Sequence, residues 1–166
     1  VRGKLATIPN PSEWNHRTPL YESAIKIFRD NPVLGSGIGI FEQLIKSPPY
    51  KLPADYPGND MGLYIHAHSF YFEVLAEMGI IGLLAFLLFF AVFLKKAYSS
   101  LVKLPKSFEK AFIGAVISMV TVTLISGIAG SLITVGVNET IMFWLLLGFG
   151  IGLIKKITNA YQLNLN

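Results

Sequence analysis

His68 is the residue of this sequence best suited to move a proton. The run Tyr64-Ile65-His66-Ala67-His68-Ser69-Phe70-Tyr71-Phe72 sets two imidazoles two residues apart, directly before a long apolar stretch. An imidazole titrates near neutrality and is a candidate general base, although a structural histidine is the plainer reading of an isolated ring. As a metal motif the pair is weak, because no third ligand follows at a recognisable spacing. Phe70, Tyr71 and Phe72 suit a membrane–water interface. Arg17 offers a planar guanidinium for an anionic group, or is an ordinary surface arginine. Glu73 and Glu77 lie one helical turn apart, inside or at the edge of the apolar stretch. Carboxylates there are costly and turn toward a bundle interior or a wet cavity. Gly35-Ser36-Gly37-Ile38-Gly39 resembles a phosphate loop only superficially, lacking both the lysine and the spacing of one. It reads as a glycine turn leading into a helix near Ile40–Ile45, whose first amides could hold an anion.

The elements that must position these residues fall into two unlike parts. The first, residues 1–69, holds 13 of the 24 charged residues and eight of the nine prolines. It reads as an irregular, water-facing segment with short helices. Thr18-Pro19 has the form of a helix start, a hydroxyl N-cap followed by proline in the first turn. Leu20, Ala24, Ile27 and Phe28 then repeat as one apolar face, and Asn31-Pro32 ends the helix. Ser47–Met61, with Pro48, Pro49, Pro53 and Pro57, reads as a loop of the kind that forms lids and binding elements.

The second part, residues 70–166, is apolar. Gly79–Leu94 carries neither charge nor proline, and a helix over 70–94 would be about 37 Å long, enough to cross a bilayer. From Ala111 onward the apolar stretch is too long for one crossing and must turn back at Gly127, Gly130, Gly136 and Asn138. Spans are therefore expected near 70–94, 111–128 and 139–157. Gly148 and Gly152 form a G-x-x-x-G pair around Gly150, a signature of close helix packing. The expected fold class is all-α, a polytopic membrane protein with three transmembrane helices and an extracytoplasmic helical and irregular segment.

Composition agrees: 52% of residues are hydrophobic and 14% charged, roughly half the ~25% charge of a soluble domain. The absence of cysteine excludes a disulfide scaffold, cysteine-ligated zinc, iron–sulfur clusters and thiol catalysis. Lys95, Lys96, Lys103, Lys106 and Lys110 between the first two spans, and Lys155 and Lys156 after the third, account for much of the net charge of +4 without a nucleic-acid partner. The positive-inside rule puts the 95–110 loop and the C-terminus in the cytoplasm and residues 1–69 outside.

Three stretches carry a family resemblance: HRTPLYESAIKIFRDNPVLGSGIGIFEQ, HAHSFYFEVLAEMGIIGLLAFLL and TIMFWLLLGFGIGL. Their ordered features, Arg17, Asn31-Pro32, Gly35, Gly37, His68, Glu77, Gly79 and Gly82, resemble the C-terminal region of the O-antigen ligase and O-antigen polymerase superfamily. The resemblance implies an inner-membrane glycosyltransferase of polysaccharide or lipopolysaccharide biosynthesis in the cell envelope. Such an enzyme moves a glycan from a polyprenyl-diphosphate carrier to a glycan, lipid-linked or protein hydroxyl acceptor, with neither metal nor cofactor. Carried onto this sequence, the family histidine is His68, which would deprotonate the acceptor. The family arginine is Arg17, which would bind the diphosphate. Gly37 and Glu77 fall on the same motifs and are expected to contribute to substrate binding. The family usually has asparagine after the histidine, where this chain has Ser69. Family members also have more spans, and the chain opens on Val1, so it is expected to be the C-terminal part of a larger enzyme whose other spans complete the carrier site.

Two other readings remain open at this level. The helix-packing glycines and small size fit a non-catalytic membrane-anchored binding or assembly subunit. Glu73 and Glu77 within a span would fit part of a transporter.

Overall fold

A computed structural model describes residues 17–54, 56, 66–130 and 137–163. The parts of the 47–61 loop and of the turn after Gly130 that carry 55, 57–65 and 131–136 lie outside the described residues, as does everything before Arg17. The described chain is helical, with no strand: α1 (Thr18–Asp30), α2 (Phe41–Leu44), α3 (Phe70–Lys103), α4 (Phe108–Ser126) and α5 (Val137–Leu163). Three of these contain stretches long and apolar enough to cross a membrane: Phe70–Lys103, Phe108–Ser126 and Thr140–Ala160. The chain divides into two compact units, Val1–Leu83 and Leu84–Asn166.

In the first unit α1 turns the expected face inward. Leu20, Ala24 and Ile27 are fully buried and Phe28 is half-buried. They meet Phe41, Ile45, Leu52, Ala67 and Ala76 in one core, with Tyr50, Tyr56 and Phe72 packed around it. The Ser23 hydroxyl donates to the Tyr50 carbonyl at 3.2 Å and the Leu52 amide to the Ile45 carbonyl at 3.0 Å, so the proline-rich segment is folded back onto α1. The start of α1 differs from expectation by one residue. Thr18 is already helical; Arg17 is the N-cap, with φ −86° and ψ −26°, and no side chain caps the helix. Pro19 pre-sets the first turn and its missing N–H leaves one donor fewer to satisfy there.

The long helix α3 is broken at Gly79, where φ is 64° and ψ −167°. A straight 34-residue helix would measure about 51 Å, far beyond a hydrocarbon core of ~30 Å. The part from Gly79 to Lys103, about 37 Å, suffices for the crossing. Residues Phe70–Met78 form a separate half-helix within the first unit.

In the second unit α3 continues through Lys95 and Lys96 to Lys103, and α4 begins at Phe108. The expected 95–110 loop is therefore mostly helix, since lysine is a good helix former and its stem reaches the interface from a helix end. Ser107 caps α4 by accepting from the Lys110 amide at 3.3 Å. Ile113, Val116 and Val120 of α4 and Phe143, Leu147 and Ile154 of α5 are buried, and Phe90 lies near Phe143 and Trp144 with ring centroids 6.1 and 6.4 Å apart. Hydroxyls of Ser118, Thr121, Thr123 and Ser126 bond carbonyls four residues back at 2.8–3.0 Å, which satisfies them inside an apolar helix. The close packing predicted for the G-x-x-x-G pair falls instead on the glycine between them. A Cβ on Gly150 would lie 3.1 Å from Val116 Cγ1, whereas Gly148 and Gly152 face open space.

Candidate functional site

The site is built where the start of α1 meets the start of α3. His68 sits just before α3 with φ 49°, left-handed backbone that non-glycine residues seldom adopt. The two neighbours explain the twist. Ala67 and Ser69 are both buried, at 0% and 2% exposure, while His68 is exposed. The chain thus plugs both flanking residues into protein and turns the one imidazole outward.

Arg17 stands at the N-cap of α1. Its carbonyl accepts the first bond of α1, from the Tyr21 amide at 3.1 Å, so its guanidinium leaves from the N-terminal, electropositive end of a 13-residue helix. Tyr21 stands one turn further along. Its ring stacks on Phe72 with centroids 4.8 Å apart, and its hydroxyl lies 3.4 Å from the His68 carbonyl, a long bond that nevertheless couples α1 to the strained residue. Sequence reasoning missed Tyr21. The signal was there in its i, i+4 relation to Arg17, which puts both on one helix face.

The electrostatics favour neutral imidazole at His68. Loss of hydration on the protein-facing side of the ring lowers its pKa below the ordinary 6.5, the Arg17 and His66 charges push it the same way, and Glu73 opposes them. His66 and Glu73 are both buried, with His66 Nδ1 3.8 Å from Glu73 Oε1. The two histidines of the motif thus have opposite surroundings, one exposed and one buried against a carboxylate.

Glu77 and Gly37 lie at the other end of the half-helix and are joined to each other. The Gly37 amide donates to the Glu77 carbonyl at 2.9 Å and the Ser36 amide to the Ala76 carbonyl at 3.0 Å. Beyond the break, the Ile80 amide donates to the Pro32 carbonyl at 2.9 Å and the Ile81 amide to the Val33 carbonyl at 3.4 Å. The Asn31–Gly37 loop thereby supplies donors to the last carbonyls of one half-helix and acceptors to the first amides of the next, the groups every helix end leaves unpaired. The Glu77 carboxylate reaches back to accept from the Phe41 amide at 3.0 Å and so fixes the start of α2. The Arg17 charge is near enough to act on the His68 imidazole; Gly37 and Glu77 are brought to each other, one half-helix away. Neither carboxylate that sequence reasoning put at the edge of a span stands in lipid without protein around it.

Residues 9–87 match the family model described as O-antigen ligase, a range that includes every residue of this site. No curated protein and no solved structure matches the chain.

Proposed function

We propose, from the match of residues 9–87 to the O-antigen ligase family model, that the chain takes part in glycosyl transfer from a polyprenyl-diphosphate carrier to an acceptor hydroxyl. The observation that carries this reading is His68: an outward-facing imidazole, held in left-handed backbone and kept toward its neutral form by desolvation and the Arg17 charge. Neutral imidazole takes the proton of the acceptor hydroxyl as its oxygen attacks the anomeric carbon. The bond from that carbon to the phosphate oxygen breaks, and the electron pair leaves with the diphosphate. Arg17, together with the positive end of α1, neutralises the charge that develops there. The glycan is retained on the new oxygen, and the proton rests on His68 until it passes to solvent.

Gly37 and Glu77 have a positioning part in this proposal. Their backbone bond and the Glu77–Phe41 contact keep the half-helix and α2 in place, and with them the start of α3 on which His68 depends. The donor glycan, the acceptor and the membrane lipid are the partners of the reaction. In this reading the lysine-rich ends around 95–110 and 155–156 lie in the cytoplasm and residues 1–69 on the opposite side of the inner membrane, which the distribution of lysine supports.

The test is transfer by membranes containing His68→Ala in the full protein, supplied with a polyprenyl-diphosphate-linked glycan and an acceptor. Transfer is expected to fall by at least the ~10²-fold of a lost general base, with insertion unchanged. Transfer at the wild-type rate would refute the assignment.

A further inference from the structure

We propose that the Asn31–Gly39 loop is a membrane anchor, with Val33, Leu34 and Ile38 seated among the acyl chains of the leaflet that α3 enters at Gly79. Three independent observations converge on this loop. No charged residue occurs between Asp30 and Glu42, although the segment belongs to the charged part of the chain. Its large side chains point outward: Val33 is 54% exposed, Leu34 74% and Ile38 76%. Scattered apolar residues at a surface are ordinary, but a cluster marks an interaction surface.

The second observation is depth. The bonds from Ile80 to Pro32 and from Ile81 to Val33 clamp the loop backbone to the first turn of the crossing helix. Ile80 and Ile81 are themselves exposed, at 39% and 53%, as lipid-facing residues of a span are. The loop extends that same apolar surface sideways, so wherever α3 meets hydrocarbon the loop tip meets it too.

The third is that protein already pairs the polar groups of the loop where it touches α3. Irregular backbone enters a bilayer only where its polar groups are satisfied by protein. Here the Gly35 amide donates to the Asn31 carbonyl at 3.0 Å, the Asn31 side-chain amide to the Ser36 hydroxyl at 3.2 Å, and Ser36 and Gly37 to the half-helix carbonyls. These bonds pair the Gly35, Ser36 and Gly37 amides and the Asn31 side chain with protein while the apolar side chains project. Just before the loop, exposed Lys26 and Arg29 occupy the last turns of α1, a basic collar at the level where lipid phosphates lie. The half-helix Phe70–Met78 spans only about 13 Å. An anchored loop therefore keeps His68 within that distance of the point where the helix enters the bilayer. This surface follows from the membrane reading of α3 and does not depend on the chemistry proposed for His68.

The sequence contains no cysteine, so Leu34→Cys, Ile38→Cys and, as a water-exposed reference, Lys51→Cys each give one labelling site in the full chain. The proteins are labelled with an environment-sensitive fluorophore and reconstituted into vesicles of phosphatidylethanolamine and phosphatidylglycerol. Nitroxide on the lipid acyl chain is expected to quench the labels at 34 and 38 several-fold more than the label at 51, with aqueous iodide giving the reverse order. Iodide quenching at 34 and 38 equal to that at 51 would overturn the proposal by placing the loop in water. Resistance of both labels to both quenchers would overturn it equally, because protein would then cover the loop.

Discussion

A Cβ on Gly35 would lie 2.3 Å from the carbonyl carbon and oxygen of Glu77, closer than side chains approach a backbone. The two residues are far apart in sequence, and their main chains touch because one carries no side chain. Gly79 makes the reciprocal contact, its Cβ position falling 2.5 Å from the Val33 carbonyl oxygen. The loop and the broken helix interlock backbone to backbone.

Gly35→Ala therefore combines left-handed strain of about 1–2 kcal/mol with overpacking of about 1–3 kcal/mol. Gly39 has φ +77° but open space around its Cβ position, so Gly39→Ala carries only the first term. Thermal unfolding of the purified variants in detergent should show Gly35→Ala and Gly79→Ala furthest below wild type and Gly39→Ala between them and wild type. Equal, mild shifts for all three would show that the interlock contributes little.

The pH dependence of transfer has a definite sign. His68 is held below 6.5 by desolvation first and by Arg17 next, so the active neutral form is present at pH 7 and is lost as pH falls through that lowered value. Arg17→Gln removes a repelling charge and should move the acidic limb of kcat/KM upward, whatever it does to the height. Glu73→Gln removes the opposing charge and should move the limb downward. A limb that stays in place in both variants would detach His68 from the rate.

Glu77 separates positioning from chemistry. Glu77→Gln keeps an oxygen for the Phe41 amide, whereas Glu77→Ala leaves that donor without it at a cost of about 1–3 kcal/mol. Stability and kcat should fall for the alanine variant and survive in the glutamine variant, with the acidic limb unmoved in either. Abolished transfer in Glu77→Gln would make the carboxylate a chemical participant.

In the second unit α4 approaches α5 tightly at one glycine. Gly150→Leu places a large side chain against Val116, 3.1 Å from the glycine's Cβ position, and should destabilise that unit by about 1–3 kcal/mol. Gly148→Ala and Gly152→Ala, facing open space, should leave it unchanged. Protease resistance of the membrane-embedded protein distinguishes them.

What could be read ahead of the structure was whatever repeats or accumulates locally. The face of α1 was legible because Leu20, Ala24 and Ile27 recur with the helical period, and the three apolar helices because length and lack of charge suffice to find them. Arg17 and His68 were legible as chemical types in a family pattern. The break at Gly79 was not, because an apolar count does not register φ and glycine within an apolar run is common in spans. Nor was its cause, since the partners of Ile80 and Ile81 lie at Pro32 and Val33, a pairing that no local period encodes. The left-handed turn at His68 was hidden for the same reason: it follows from the burial of Ala67 and Ser69 by residues distant in sequence.

The bond between Gly37 and Glu77 also closes a ring. Between these residues lie α2, the proline-rich stretch, His68 and most of the half-helix, and Phe41, Ile45, Leu52, Ala67 and Ala76 hold this ring to α1 from within. The entropy of closing a flexible loop grows slowly, by about 0.6 kcal/mol for each doubling of length. A change in the number of residues around the ring thus costs little in closure entropy and leaves its closing bond in place. Length can therefore change around this ring while the Gly37–Glu77 bond and the core contacts to α1 keep their places.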